Sequence, residues 1–261
     1  MIKVIKKYLY KKLAYLLPYN LRRKLFALFY KSKFEDIIKK RMVSEDYSFM
    51  SYDKYHCIFI HIPKTAGVSI TRTLFGHLIG HFSVAEYQIV FSKKEFNSYF
   101  KFAIVRNPWD RVFSAYNFLK NGGMTEEDKE WANKNISQYT NFNDFIKNGL
   151  KKPSILKWRH FLPQCDFICV PHSNKPLVDF IGHFENINED FQYIKKKMSL
   201  DDNLILKHEN VNPGKKLDYR DYYDDKAQKI VSEVYKNDIK ILGYNFDSSS
   251  ISLQKNIHTI N

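Results

Sequence analysis

Residues 56–79 read HCIFIHIPKTAGVSITRTLFGHLI, and the fold turns on them. His56–Ile60 is an apolar run of strand length, and Ser69–Ile79 carries a helical pattern. Between them lies a short loop containing Pro63 and Gly67. A buried strand that feeds a helix this way turns successive backbone N–H groups and the positive helix end outward, which makes an anion site. Lys64 adds a mobile cation, Thr65 and Ser69 add hydroxyls, and Gly67 permits close backbone approach. The pattern G-x-x-x-x-G-K-[ST] is absent, so this is not a Walker loop. Taken alone, such a stretch is more often an ordinary strand-to-helix turn.

A second stretch repeats the arrangement. Tyr99–Val105 is a strand closed by Arg106, Asn107-Pro108-Trp109-Asp110 is a turn with a helix cap, and residues 111–119 continue as a helix. Ser114 falls one turn into that helix. An arginine at a strand end and a serine on the next helix can grip one more phosphate together. Further on, Asp166–Val170 and Val178–Gly182 are expected as strands, and Asn188–Met198 and Asp224–Leu242 as helices. Residues 121–140 are polar, with Gly122-Gly123 and the acidic run Glu126–Asp128, and read as a mobile excursion. Strands alternating with helices predict an α/β fold, a P-loop-like parallel sheet flanked by helices. One domain over 51–261 is expected, preceded by a basic amphipathic segment over 1–50.

The chain has 261 residues, 44% hydrophobic and 27% charged, which excludes a disordered chain or a disulfide-built miniprotein. Its net charge is +14, but thirteen of the 42 lysines and arginines lie within residues 1–41, against only Glu35 and Asp36. The remainder is close to neutral, so no nucleic-acid partner is expected. Lysines interrupt every apolar run in the first 41 residues, which argues against a membrane span or a signal peptide. Two readings stay open there: a helix lying on an anionic membrane surface, or a basic helix packed on the domain. Cys57, Cys165 and Cys169 are too few and too odd for a disulfide framework and point to a reducing compartment, the cytoplasm. With His160 and His172 they give H-x4-C-x3-C-x2-H, which is no standard zinc spacing, so no metal is expected.

HIPKTAGVS (61–69) followed by FAIVRNPWDRVFSAYNF (102–118) resembles the sulfotransferases that use 3′-phosphoadenosine 5′-phosphosulfate (PAPS). The likeness is to their carbohydrate branch, with the heparan sulfate 2-O- and chondroitin sulfotransferases. The resemblance implies a fold of sulfotransferase type. It also implies that Lys64, Thr65, Ala66, Gly67, Val68 and Ser69 hold the 5′-phosphosulfate, and that Arg106 and Ser114 hold the 3′-phosphate. Val68 stands where relatives often carry Thr, which keeps the amide and loses a hydroxyl. Gly80-His81-Phe82-Ser83 is similar to the segment that supplies the family's base, so His81 is the expected general base, with His77 and His160 as alternatives. HFLPQCDFI (160–168), GHFENINEDFQYI (182–194) and NDIKILGYNF (237–246) are further landmarks. Lys215 and Lys216 match a loop that closes over the nucleotide, and a solvated lysine pair reads there equally well.

The implied reaction moves a sulfuryl group from PAPS to a hydroxyl of a glycan or lipid-linked saccharide. Lys64 would assist the leaving phosphate, and positioning and electrostatics would supply most of the rate. Two other functions compete. A nucleotide-dependent kinase would need a Walker lysine–hydroxyl pair and an acidic strand end, and neither is present. A non-catalytic protein binding glycan or anionic lipid through residues 1–41 would need no turnover. Acceptor contacts are expected within residues 121–160.

Overall fold

The computed structural model describes residues 16–43, 45–170, 173–207 and 217–248. Its sheet has three strands, β1 (Cys57–Ile60), β2 (Phe100–Val105) and β3 (Phe180–His183), in that order and all parallel. Cys57 pairs with Phe100, and Phe102 with Phe180. Every residue of β1, and every residue of β2 after Phe100, is buried. Helices cover both faces of such a sheet, so its strands read as unbroken apolar runs rather than alternating ones.

Among the described residues three helices precede the sheet: α1 (Tyr19–Phe29), α2 (Lys31–Lys39) and α3 (Met50–Tyr55). The first crossover carries α4 (Gly67–Phe75), α5 (Val84–Val90) and α6 (Lys93–Ser98). Ser83 and Ser92 start the last two with capping boxes closed by Glu86 and Glu95. The second crossover is longer and holds α7 (Pro108–Lys120), α8 (Glu126–Asn135), α9 (Phe142–Asn148), α10 (Pro153–Leu156) and α11 (Cys165–Ile168). Asn107 caps α7, with Pro108 at its first position. Helices α12 (Ile187–Lys197), α13 (Asp225–Val234) and α14 (Lys236–Leu242) follow β3. One hydrophobic cluster surrounds the sheet, and a second joins Trp109, Phe113, Tyr116, Phe145, Phe161, Val231 and Tyr235 beside it.

Residues 223–245 clasp the start of α7. Asn107 Nδ2 donates to the Asn245 carbonyl at 2.9 Å, and Trp109 Nε1 to that of Gln228 at 3.0 Å. In return the Tyr223 hydroxyl donates to the Trp109 carbonyl at 2.9 Å.

Several expectations change. Asp166–Val170 is not a strand: α11 forms there because the buried Asp238 carboxylate takes the amides of Gln164 and Cys165 at 2.7 and 2.9 Å. The third strand lies at Phe180–His183, slightly beyond the expected Val178–Gly182. Residues 126–135 of the expected excursion fold as α8, capped by Thr125 and seated by buried Asp128 and Ala132. The expected Asp224–Leu242 helix breaks at Tyr235, whose hydroxyl donates to the Phe161 carbonyl at 2.7 Å.

Residues 19–41 lie on the domain. The Tyr19 hydroxyl donates to the Phe91 carbonyl at 3.0 Å, and Arg23 Nε to that of Ile89 at 2.7 Å. Arg41 forks between Asp53 and Glu95, at 2.7 and 2.6 Å, with its guanidinium 4.6 Å from the Phe91 ring centre. Residues 1–15, which carry the first five lysines, lie outside the described residues. Among the described residues no helix is long and apolar enough to cross a membrane. Cys57, Cys165 and Cys169 are buried free thiols, and His172 is outside the described residues.

Candidate active site

The loop from β1 to α4 is held in an unusual backbone conformation. Lys64 and Ala66 have φ of 71° and 65°, in the left-handed region that L-residues seldom occupy. Such conformations persist where the surroundings enforce them, and they gather at functional sites. No side chain caps α4 at Ala66, so the amides of its first turn meet no capping oxygen. Thr65 is wholly buried, and its hydroxyl donates to the Ile62 carbonyl at 2.9 Å, closing the loop from within. A Cβ on Gly67 would lie 1.9 Å from His61 Cδ2, so the missing side chain makes room for that ring. Ser69 is buried and Val68 half-buried on the first turn of α4.

Arg106 joins this loop to the next. Its guanidinium makes a bidentate pair with Asp110 at 2.7 and 2.8 Å, donates to the Lys64 carbonyl at 3.1 Å, and lies 4.1 Å from the Phe184 ring centre. Gln164 exchanges two hydrogen bonds with the Arg106 backbone, at 2.9 and 2.8 Å. Asp110, Ser114 and Phe118 recur at four-residue spacing and share one face of α7. Ser114 is half-buried there, and the Lys64 ammonium sits 3.8 Å above the Phe118 ring. Burial, then the nearby Arg106 charge, lowers the Lys64 pKa to about 7.

Sequence reasoning missed Arg111. Its side chain is buried and donates to the carbonyls of Pro63 and Leu162, each at 2.9 Å, which straps the β1–α4 loop to the segment before α11.

The three histidines divide. His77 is committed elsewhere: its Nδ1–H donates to the Leu78 carbonyl at 3.0 Å, and its Nε2 accepts from Ser51 at 2.7 Å. His81 donates its Nδ1–H to the His61 carbonyl at 2.9 Å, which leaves Nε2 as a bare lone pair. The ring centres of His81 and His61 are 4.1 Å apart, and burial holds the His81 pKa well below the usual imidazole value. The His160 ring centre lies 6.2 Å from that of His81. Its Nε2–H donates to Asp128 at 3.2 Å, and both residues are buried. Burial pushes the Asp128 carboxyl up, but the His160 hydrogen bond and charge outweigh it and keep it below the ordinary range. Asp128 comes from α8, which gave no sign in the sequence beyond an acidic run. Lys215 and Lys216 lie outside the described residues.

The site thus combines strained backbone amides, a lysine, a clamped arginine and an imidazole lone pair at the carboxyl ends of β1 and β2, where open α/β sheets bind ligands. Residues 47–245 match the family described as "Sulfotransferase family". Carbohydrate sulfotransferase 10 of Gallus gallus is 27% identical over 178 residues, 59% of this chain and 46% of that protein. The chain therefore spans less than half of that relative's length. An uncharacterized protein of Archaeoglobus fulgidus is 31% identical over 121 residues, 44% of this chain and 80% of its own. No solved structure matches the chain significantly.

Proposed function

The chain belongs to the sulfotransferase family, and on that premise we propose that it carries a sulfuryl group from PAPS to a hydroxyl of a carbohydrate acceptor. One observation carries the reading: Arg106 binds the Lys64 carbonyl, so the two loops meet, and His81 is anchored through Nδ1 to the His61 carbonyl at the start of the first of them. The donor set suits a phosphosulfate. The uncapped amides of Gly67, Val68 and Ser69 and the Lys64 ammonium can receive the 5′ end, with Thr65 and Ala66 shaping the loop. Arg106 and Ser114 can receive the 3′-phosphate, which competes with Asp110 for the guanidinium. Lys215 and Lys216 join them by sequence position alone. PAPS supplies the activated sulfuryl group, and no metal is required.

The chain's own groups then do three things. His81 Nε2 takes the proton of the acceptor hydroxyl as its oxygen attacks sulfur. Lys64 neutralises the charge gathering on the leaving 5′-phosphate as the sulfur–oxygen bond breaks. Arg106 and Ser114 fix the nucleotide so that donor and acceptor line up. The name of the chicken relative supports a saccharide acceptor. Lys3, Lys6, Lys7, Lys11 and Lys12 support peripheral contact with an anionic membrane at the cytoplasmic face, at about 1 kcal/mol per lysine. Deleting residues 1–15 should release the protein from phosphatidylserine vesicles at low salt.

The deciding experiment supplies sulfur-labelled PAPS with a panel of glycans and follows label into saccharide. Arg106→Ala should raise the KM for PAPS with a smaller change in kcat, because it binds a phosphate remote from the chemistry. Absence of transfer to any glycan, with nucleotide still bound, would instead support a binding protein.

A further inference from the structure

The Arg106 guanidinium is engaged by a carboxylate of its own chain. Asp110 takes its Nε and Nη2 at 2.7 and 2.8 Å, and both side chains keep some contact with solvent, at 15% and 18% exposure. Arg106 does not need Asp110 to stay in place. Its Nη1 donates to the Lys64 carbonyl at 3.1 Å, and the guanidinium carbon lies 4.1 Å from the Phe184 ring centre. Gln164 ties its backbone from the other side.

Asp110 stands in the first turn of α7, and Ser114 follows one turn later on the same face. An anion gripped by Arg106 and Ser114 together therefore comes up against the carboxylate between them. The Arg106–Asp110 pair offers such an anion no net charge, and like charges that close repel. A carboxylate pushed off the guanidinium still has the positive end of α7 beside it, which lowers the cost of moving it. Sulfuryl transfer leaves a 3′-phosphate unchanged. The chemistry by itself thus does nothing to loosen the hold of Arg106 on the product.

We propose that Asp110 is the internal counter-ligand of Arg106: the 3′-phosphate displaces it on binding, and its return to the guanidinium hastens departure of adenosine 3′,5′-bisphosphate after transfer. The inference rests on the PAPS reading above and adds to it how the spent nucleotide leaves. Asp110 is part of the same chain, four residues away, so it competes at high effective concentration and at the expense of nucleotide affinity. It acts through Arg106, as a positioning residue.

The test measures the affinity and dissociation rate of adenosine 3′,5′-bisphosphate, with adenosine 5′-monophosphate as the ligand that lacks the 3′-phosphate. Asp110→Asn keeps the shape of the side chain and removes its charge. It should bind the bisphosphate about tenfold more tightly, chiefly through slower dissociation, with the monophosphate within about twofold of the parent. Asp110→Ala should show the same gain without an added amide donor, and it decides alone if Asp110→Asn does not fold. A purely structural role for Asp110 predicts the opposite sign, with both nucleotides bound more weakly. Unchanged or weaker bisphosphate binding in the folded variants would overturn the inference. A parent protein that binds the bisphosphate no better than the monophosphate would overturn the assignment of Arg106 to the 3′-phosphate instead.

Discussion

Lys64 sits in left-handed backbone with its ammonium against an aromatic ring and its pKa near 7. Above that pH the free protein holds it largely neutral. A bound phosphate favours the charged form and raises the pKa, so nucleotide binding at pH 8 should take up a proton. Calorimetry of adenosine 3′,5′-bisphosphate binding in buffers of different ionisation enthalpy reads this directly. Affinity should fall between pH 7 and 9, and Lys64→Ala should lose the uptake together with transfer. His81 has the opposite requirement. Burial lowers its pKa, so as the proposed base it is ready at neutral pH, and kcat should hold until the medium is well below the usual imidazole range. His81→Ala should cut kcat by ~10²–10⁴-fold with bisphosphate affinity retained, and a near-normal kcat would move the base to His160. Lys64, Arg106 and His81 could be proposed from the sequence because each lies in a short run whose neighbours repeat the same message. Arg111 and Asp128 were not. The carbonyls that Arg111 binds lie 48 and 51 residues away, and Asp128 meets His160 across 32. Local spacing holds no trace of such partners.

At the scale of the element, the β1–α4 turn depends on one absent atom. Gly67→Ala would drive a Cβ into the His61 ring, and that ring packs on His81. Overpacking should cost about 1–3 kcal/mol, seen as a lowered Tm, together with a loss of kcat larger than the loss of nucleotide affinity. Arg111→Met should leave the Pro63 and Leu162 carbonyls without their donor and cost about 3 kcal/mol by denaturant unfolding. The strands and α7 were legible because their apolar runs are bounded by Pro, Asn and Gly. Helix α11 was not, since a run of four or five apolar residues suits a strand or one helical turn equally. Asp238 decides it from more than seventy residues away. The same distance effect breaks α13 from α14, where Tyr235 turns inward to Phe161.

Across the whole molecule, residues 19–41 follow the packed reading of the N-terminal segment. Its arginines serve the domain as well as any external surface: Arg23 reaches the Ile89 carbonyl, and Arg41 bridges Asp53 and Glu95. Ile37 is buried among the residues around the sheet. Deleting residues 1–41 should therefore destabilise the protein by about 3 kcal/mol, a Tm drop of roughly 6–12 °C. A truncated protein with unchanged Tm would show that these contacts contribute nothing measurable.

The clasp on α7 has a consequence in time. Translation delivers the chain in order, and the Asn107 side chain waits 138 residues for the carbonyl it binds. At ribosomal speeds of about 5–20 residues per second, that is roughly 7–28 s. For most of that interval the nascent protein already has the β1–α4 and β2–α7 loops in its sequence, but Trp109 has neither Gln228 to receive its N–H nor Tyr223 to cover its carbonyl. A premature stop before residue 223 would release this half-built form, with both loops present and the clasp missing. An aromatic residue left bare at the root of α7 would make it a substrate for chaperones and proteases.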